Sequence, residues 1–488
     1  MNGDNCEYYM LSTSIAKGFG YINIASPDQE PSGTFPPGYP LIMSLVRIFT
    51  NKIVAQKILN GIFLMASSLL IFHFIRKNKL PDSLAFIVSA SILLNVNILH
   101  FATMMMSEMS YLLFTVIALW TLFKIDFDKP FFKDKYFYLL IFSTGYAYHI
   151  RTQGIALIVA VICYLLITKK WKTTLGYLSG IVLCLIPWMV RNHITGVGSS
   201  RYLNQIFTVN NHRPEEGTLE VFDLISRFFD TLIMLVTKAI PNSITPYFNV
   251  DYNVETTIGE WFIAVVLFGI IITGFWQFKK LRFFFIFYVL ANLSLISLFN
   301  DPGENRYITT LIPFLEIGLF IGLYKLLTNV VQKTKIAKSF SPWILIVPLI
   351  IFPYPQLKDE HERNKSSFPP NYLNFFRIAA ASRKQLQPDV VICSRKPGLF
   401  YIYSQSKVCN YKWTNDDKLL IQGLIDSKVD YVVLDQLGYS TTIRYLYPAM
   451  KKHEELFIPV MHIPNPDTYL LKFDRDGAIK KLKDELTQ

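Results

Sequence analysis

The sequence predicts a mainly α-helical fold, a polytopic transmembrane bundle followed by a small C-terminal soluble α/β domain. Three observations lead there. Hydrophobic residues fill 51% of the 488 positions and charged residues only 17%, outside the usual balance of a soluble domain. The apolar residues come in blocks, among them 62–75, 83–99, 308–327 and 343–352, that approach the roughly 20 residues a membrane crossing needs. Basic residues collect in the short gaps between blocks, as they do in cytoplasmic loops.

Ten candidate spans result: 53–75, 82–101, 108–124, 136–149, 154–168, 174–190, 261–278, 283–299, 308–328 and 341–355. The pair 136–149 and 154–168 is short and reads as two crossings or as a shallow, re-entrant hairpin. Arg76, Lys77 and Lys79 share one gap, and Lys124, Lys129, Lys133 and Lys135 another. Lys169, Lys170 and Lys172, then Lys279, Lys280 and Arg282, then Lys333, Lys335 and Lys338 complete the series. The net charge of +12 therefore reports topology, and nucleic acid is not an expected partner. With every basic gap on one face, the other receives residues 1–50, the turn at 102–108, the corner His149-Ile150-Arg151, loop 191–260, the turn 300–306 and the chain after 352. The implied domains are a first loop (1–50), the bundle (51–355) and a soluble domain (356–488).

In loop 191–260, the spacing of Phe222, Leu224, Ile225, Phe228, Phe229, Leu232, Ile233 and Leu235 suits an amphipathic helix in the membrane interface, as a lid or as plain packing. Past Pro355 the composition turns ordinary. Residues 390–393, 429–434 and 469–471 read as strands, with helices over 416–427 and 441–453. No phosphate-binding glycine loop or nucleophile elbow is present. Cys163 and Cys184 read as packing residues. For Cys393 and Cys409, a disulfide and two free thiols are both open. No cleavable signal peptide is visible.

The sorting places Asp4, Glu7, Glu108, Asp301 and Glu304 on the face opposite the lysines, with Arg151, Arg306 and Arg191 the nearby cations. Asp4 and Glu7, three apart, share a helical face; a plain reading has Asp4 capping a helix that starts near Glu7. Glu108 near membrane depth is costly unless functional or paired. A divalent cation shared with Asp4 and an ion pair with an arginine are equally open for it. Pro36, Pro37, Gly38 and Tyr39 form a rigid turn that fixes the loop, with Gly38 supplying backbone freedom.

Read together, Asp4 with Tyr8-Tyr9, Gly18-Phe19-Gly20-Tyr21, Pro36-Pro37-Gly38-Tyr39-Pro40, Ser107-Glu108, Arg151 with Gly154, Pro187-Trp188 with Arg191-Asn192, and Arg306-Tyr307 with Pro313 resemble the GT-C fold membrane glycosyltransferases. The nearest branch is the bacterial one related to protein O-mannosyltransferases and lipid A aminoarabinose transferase. The order of the motifs is specific; each alone is short. Asn5 follows Asp4 where many relatives have a second acid, and Phe35 stands where the aminoarabinose enzymes carry lysine. Relatives also place a transmembrane helix before this loop, and such a helix is expected ahead of Asp4.

The resemblance implies a donor sugar on a polyprenyl phosphate, an extracytoplasmic lipid, glycan or protein acceptor, and no nucleotide cofactor. It also implies a bacterial inner membrane, with active face and C-terminal domain outside. Inverting transfer needs a base at the acceptor hydroxyl, the role assigned to Asp4 with Glu7 as helper or metal ligand. It needs positive charge on the leaving phosphate, assigned to Arg306 first, Arg151 second and Arg191 third. For Arg191, at a span end, snorkelling or pairing is the preferred reading. His149 is either a proton donor to the phosphate or a hydrogen-bonded structural histidine. Asp301 and Glu304 are candidate metal or acceptor ligands. The competing functions are a polysaccharide polymerase or ligase, and a transporter or flippase of lipid-linked sugar.

Overall fold

The computed structural model describes residues 3–197, 200–210, 213–245, 250–299, 306–334, 340–351 and 353–486. Helix α1 (Asp4–Ala16) opens it. Asp4 and Glu7 lie in its first turn, where carboxylates suit the positive end of the helix dipole. The capping role offered for Asp4 is corrected: the helix starts at Asp4 itself, after Gly3 at φ 57°, and no side chain caps it. An irregular stretch leads to α2 (Gly38–Arg47), preceded by Pro37.

The bundle follows. Helix α3 (Ile53–Lys77) is long and apolar enough to cross a membrane. Block 82–101 divides into α4 (Asp82–Leu94) and α5 (Val96–Ala102), which meet at 59°. Asn95 makes the break, leaving the helical region and accepting the Ile98 N–H as the cap of α5. Next come α6 (Glu108–Lys124), α7 (Lys135–Ile150), α8 (Gly154–Ile167) and α9 (Trp171–Ile194). The long loop contributes α10 (Ser200–Phe207), α11 (Val221–Met234) and α12 (Ile240–Ile244). Along α11, Phe222, Ile225 and Phe229 are exposed, the unpaired apolar face that the residue spacing predicts. Helices α13 (Ile258–Trp276), α14 (Arg282–Ile296), α15 (Arg306–Thr309) and α16 (Ile312–Thr334) complete the main bundle. After them stand a 3-10 turn, the short α17 (Ile346–Ile351) and the polar α18 (Tyr354–Lys365).

Among the described residues four helices, α3, α9, α13 and α16, have the length and hydropathy of a crossing, or five with the bent α4–α5 pair counted as one. Apolar blocks continue across breaks that hydropathy alone does not register, such as Asn95 and the turn Pro342–Leu345. The protein is multi-pass, with shorter apolar helices such as α8 and α14 filling the bundle.

The C-terminal domain runs α19 (Pro370–Gln385), β1 (Val391–Cys393), α20 (Pro397–Ser404), β2 (Lys407–Cys409), α21 (Asp417–Asp426), β3 (Tyr431–Leu434), α22 (Tyr447–Lys452), β4 (Phe457–Ile463), β5 (Thr468–Phe473) and α23 (Arg475–Leu486). The sheet order is β2-β1-β3-β5-β4, parallel across the first three strands and antiparallel beyond. Cys393 and Cys409 are register partners on β1 and β2, and both are free thiols.

This domain roofs the first loop. Cys6, Met10, Ile24 and Ala25 share one core with Phe375, Phe400 and Leu437. The Val408 N–H donates to the Ala25 carbonyl at 2.7 Å. Loop and domain thus form one layer over the bundle.

Candidate active site

Helix α6 begins at the turn Ser107-Glu108, and this brings Glu108 to the centre of the site. Its side chain is fully buried, yet it holds two arginines. Arg151 Nη1 donates to Glu108 Oε1 at 2.6 Å, and Arg306 Nε donates to the same oxygen at 2.7 Å. Arg306 Nη1 then reaches Asp4 Oδ2 at 2.6 Å. Arg151 Nη1 also donates to Ser107 Oγ at 3.1 Å, and Tyr8 Oη lies 3.1 Å from that hydroxyl. Segments 302 residues apart in sequence therefore meet side chain to side chain. Two carboxylates balance two guanidinium groups, so the cluster is electrically neutral as it stands.

Burial grades across the cluster. Glu108 is wholly enclosed and Arg151 is 8% exposed at its side chain, whereas Arg306 and Asp4 are 23% and 33% exposed. Those two open into a cavity of about 640 Å³, lined also by Lys57 of α3, Lys396 of the C-terminal domain, Phe368 and Tyr372. The inner pair is a fixed foundation, and the outer pair faces the space a substrate would enter.

Behind Asp4, Tyr8 fills the core, packed on Phe35 at 4.7 Å and edge-on to Tyr39 at 5.0 Å between ring centroids. Phe35 thus serves as an aromatic wall beside Tyr8. Tyr39, itself fully buried, donates to Asn60 Oδ1 at 3.3 Å. The glycine at 38 is required by proximity: a Cβ there would stand 2.6 Å from the His149 carbonyl carbon. Its backbone is helical, which corrects the expectation that it supplies unusual turn freedom. Pro36 and Pro37 precede α2, and the Tyr21 hydroxyl donates to the carbonyls of Phe35 and Pro36 at 2.9 and 3.2 Å.

Other candidates fall elsewhere. His149 Nε2 bonds the Cys184 carbonyl at 2.9 Å, which ties α7 to α9 and directs that nitrogen into the bundle. Arg191 donates to the carbonyls of Ser32 at 2.6 Å and Tyr21 at 2.7 Å, with Trp188 beneath it. It staples the first loop to α9, with carbonyls taking the place of the acid partner considered for it. Glu7 lies half-buried one turn along α1 from Asp4. Asp301 and Glu304 lie outside the described residues.

A divalent cation does not fit the described groups. Among them no set of three His, Cys, Asp or Glu side chains could hold one. Arg306 stands between Asp4 and Glu108 and bonds both, so a metal bridging those acids would first have to expel it. Ser107, Tyr8, Lys57 and Lys396 belong to the cluster or its cavity and are new to the candidate set. Lys396 had a detectable signal: it follows β1, at the carboxyl end of parallel strands where α/β sheets place ligand sites.

Fold and cluster together define the class: the chain has the GT-C fold, a membrane architecture shared with mannosyltransferases and ArnT. Residues 34–191 match the family model described as dolichyl-phosphate-mannose-protein mannosyltransferase, a stretch that includes Glu108, Arg151 and Arg191. The chain is similar in structure to ArnT from Cupriavidus metallidurans in the apo state, with a TM-score of 0.60 and 11% identity over 97% of this chain and 94% of that one. It is also similar to ArnT of the same organism bound to undecaprenyl phosphate, with a TM-score of 0.59 and 10% identity over the same shares. No curated protein matches the sequence.

Proposed function

We propose that this protein is an integral-membrane glycosyltransferase that moves a sugar from a polyprenyl-phosphate donor to a lipid, glycan or protein acceptor on the extracytoplasmic side of a bacterial inner membrane. The observation that carries the reading is the meeting of Asp4, Glu108, Arg151 and Arg306 in one cluster, of which Asp4 and Arg306 line a cavity. The ArnT structure with undecaprenyl phosphate lends the class of donor. A transporter needs no carboxylate–arginine pair at a cavity floor, whereas group transfer to a hydroxyl needs both charges.

The chemistry is a single displacement with inversion. The acceptor oxygen attacks the anomeric carbon, the bond from that carbon to the phosphate oxygen breaks, and polyprenyl phosphate departs with the electron pair. Asp4 accepts the acceptor proton as general base. In the resting cluster Asp4 is held by Arg306, so an incoming phosphate competes for that guanidinium through its own paired oxygens. Capture of Arg306 by the phosphate releases Asp4 to take a proton. Glu108 holds Arg306 from behind throughout, and Lys57 and Lys396 add charge on the cavity wall.

The test is transfer of labelled sugar from synthetic polyprenyl-phosphate donors by the purified protein in lipid nanodiscs. Wild type is expected to turn over, and Asp4→Asn to lose about 100-fold or more, in line with removal of a general base, while still inserting normally. Full activity in Asp4→Asn would end the assignment.

A further inference from the structure

We propose that Arg47 and Lys52 form a second anion site, separate from the Asp4–Arg306 cavity, that holds the phosphate of a membrane lipid. Arg47 ends α2 and is only 6% exposed. Its Nε and Nη1 are buried with no hydrogen-bond partner among the described residues, and Nη2 reaches only Asn51 Oδ1, at 3.4 Å. No carboxylate of the described residues lies within ion-pair distance of it. One face of the guanidinium is closed by the Tyr9 ring, 3.9 Å from its centroid.

An arginine cannot shed its proton to escape burial, and a buried charge without a partner is strongly unfavourable. The geometry points to an anion that accepts two parallel N–H bonds, for which phosphate is the best match. The space is present: a cavity of about 530 Å³ is lined by Arg47, Ile48, Phe49, Thr50, Asn51 and Lys52. It offers a second cation, a hydroxyl and an amide beside the buried guanidinium.

The surroundings choose the source of the phosphate. Ile48 and Phe49, which line this cavity, are 63% and 87% exposed, an apolar rim that free phosphate does not need and acyl chains do. Residues 48–52 join α2 to the end of membrane-crossing α3, the level at which headgroups lie. Helix α1 serves both sites, turning Tyr8 to the Ser107 hydroxyl and Tyr9 to Arg47. The lining residues of the two cavities do not overlap.

The experiment titrates full-length protein in neutral detergent with dioctanoyl phosphatidylglycerol, dioctanoylglycerol or inorganic phosphate and follows thermal unfolding. Phosphatidylglycerol is expected to raise Tm saturably, whereas the other two leave it unmoved. Arg47→Met keeps much of the stem and should weaken phosphatidylglycerol at least about tenfold, the loss of one charged hydrogen-bonded contact. Lys52→Gln, on an exposed side chain that leaves packing untouched, should weaken it about threefold, roughly the value of a solvated charge contact. An unchanged response in both variants overturns the site. A response to dioctanoylglycerol equal to that of the phospholipid overturns the role of the phosphate, and an equal response to inorganic phosphate overturns the lipid assignment. Repeating the titration in Asp4→Asn separates this site from the transferase reading, because lipid affinity there should be unchanged.

Discussion

Two buried glutamates make opposite demands on their surroundings. Glu108 faces two arginines, whereas Glu316 in α16 is met only by neutral donors, Ser91 Oγ at 2.8 Å and Asn95 Nδ2 at 3.0 Å. Glu108→Gln leaves the buried Arg151 without a counter-charge and Arg306 with Asp4 alone, and should cost about 3–5 kcal/mol. Glu316→Gln keeps a hydrogen bond to each neighbour, since a serine hydroxyl both donates and accepts, and should cost about 1 kcal/mol or less. Thermal unfolding of both variants in nanodiscs checks the contrast; equal losses would refute it. Asp435, outside the membrane, makes a pH prediction. Burial raises its carboxyl to about 6, opposed by the Leu437 N–H and by Arg395 and Lys396. An unfolded aspartate titrates near about 4, so stability from this residue is fully present below that pH and is lost as pH rises through about 6. Asp435→Asn should therefore flatten the stability profile between about pH 4 and 6, with a gain of at most about 3 kcal/mol at neutral pH. Asp4, Glu108, Arg151 and Arg306 stand out in the sequence because the lysine-rich gaps sort them onto the opposite face, Glu108 also because charge near membrane depth is costly, and the resemblance supplies their roles. The sequence could not tell that His149 Nε2 and the Arg191 guanidinium are engaged by carbonyls, because any backbone can supply those.

Helix pairing depends on small residues. In α13 and α16, Gly274, Gly318 and Gly322 bring the two backbones so close that a Cβ on Gly322 would overlap the Ile270 carbonyl oxygen. The α16 glycines are four apart, the spacing that lets helices in lipid pack backbone to backbone. Gly322→Leu should force α13 and α16 apart; its signature is a large fall in Tm with insertion retained, and Gly269→Leu, at a glycine with open space, is the control expected to change little. At this scale the apolar blocks predicted where helices lie better than where they stop. Breaks at Asn95 and near Pro342 use polar or proline residues inside apolar runs, and hydropathy averages them away. The bend at Asn95 is closed by protein, since Asn95 Nδ2 also donates to the Ser243 carbonyl at 3.0 Å. That makes it a fixed joint, unlike the cavity-lining broken helices of transporters.

The whole molecule is organised around an interface that no local pattern announces. Three of the five strands of the C-terminal domain could be read from the sequence, β2 and β4 being missed, and the bundle could be read from its apolar blocks, but their shared core with α1 depends on residues about 370 positions apart. Gly398 on α20 lies against α1: a Cβ there would be 3.0 Å from Cys6 Cβ and 3.1 Å from Met10 Cε. The Cys6 contact is rigid and the Met10 end is flexible, so a branched side chain should lever the domain away from α1. Two consequences follow from the position of Asp4 on that helix and of Lys396 two residues before Gly398. Gly398→Val should loosen the ion pair from Asp4 to Arg306 and withdraw Lys396 from the cavity wall, cutting transfer by about tenfold or more for even a small misplacement of the reacting groups. It should also speed hydrogen exchange along α1 while leaving the β1–β3 amides protected, because their ladders lie within the domain. Met10→Ala placed on top of Gly398→Val makes room for the added methyls and should restore part of both. If exchange in α1 stays at the wild-type rate while transfer falls, the domain acts through Lys396 alone; if neither changes, the roof is not what positions Asp4.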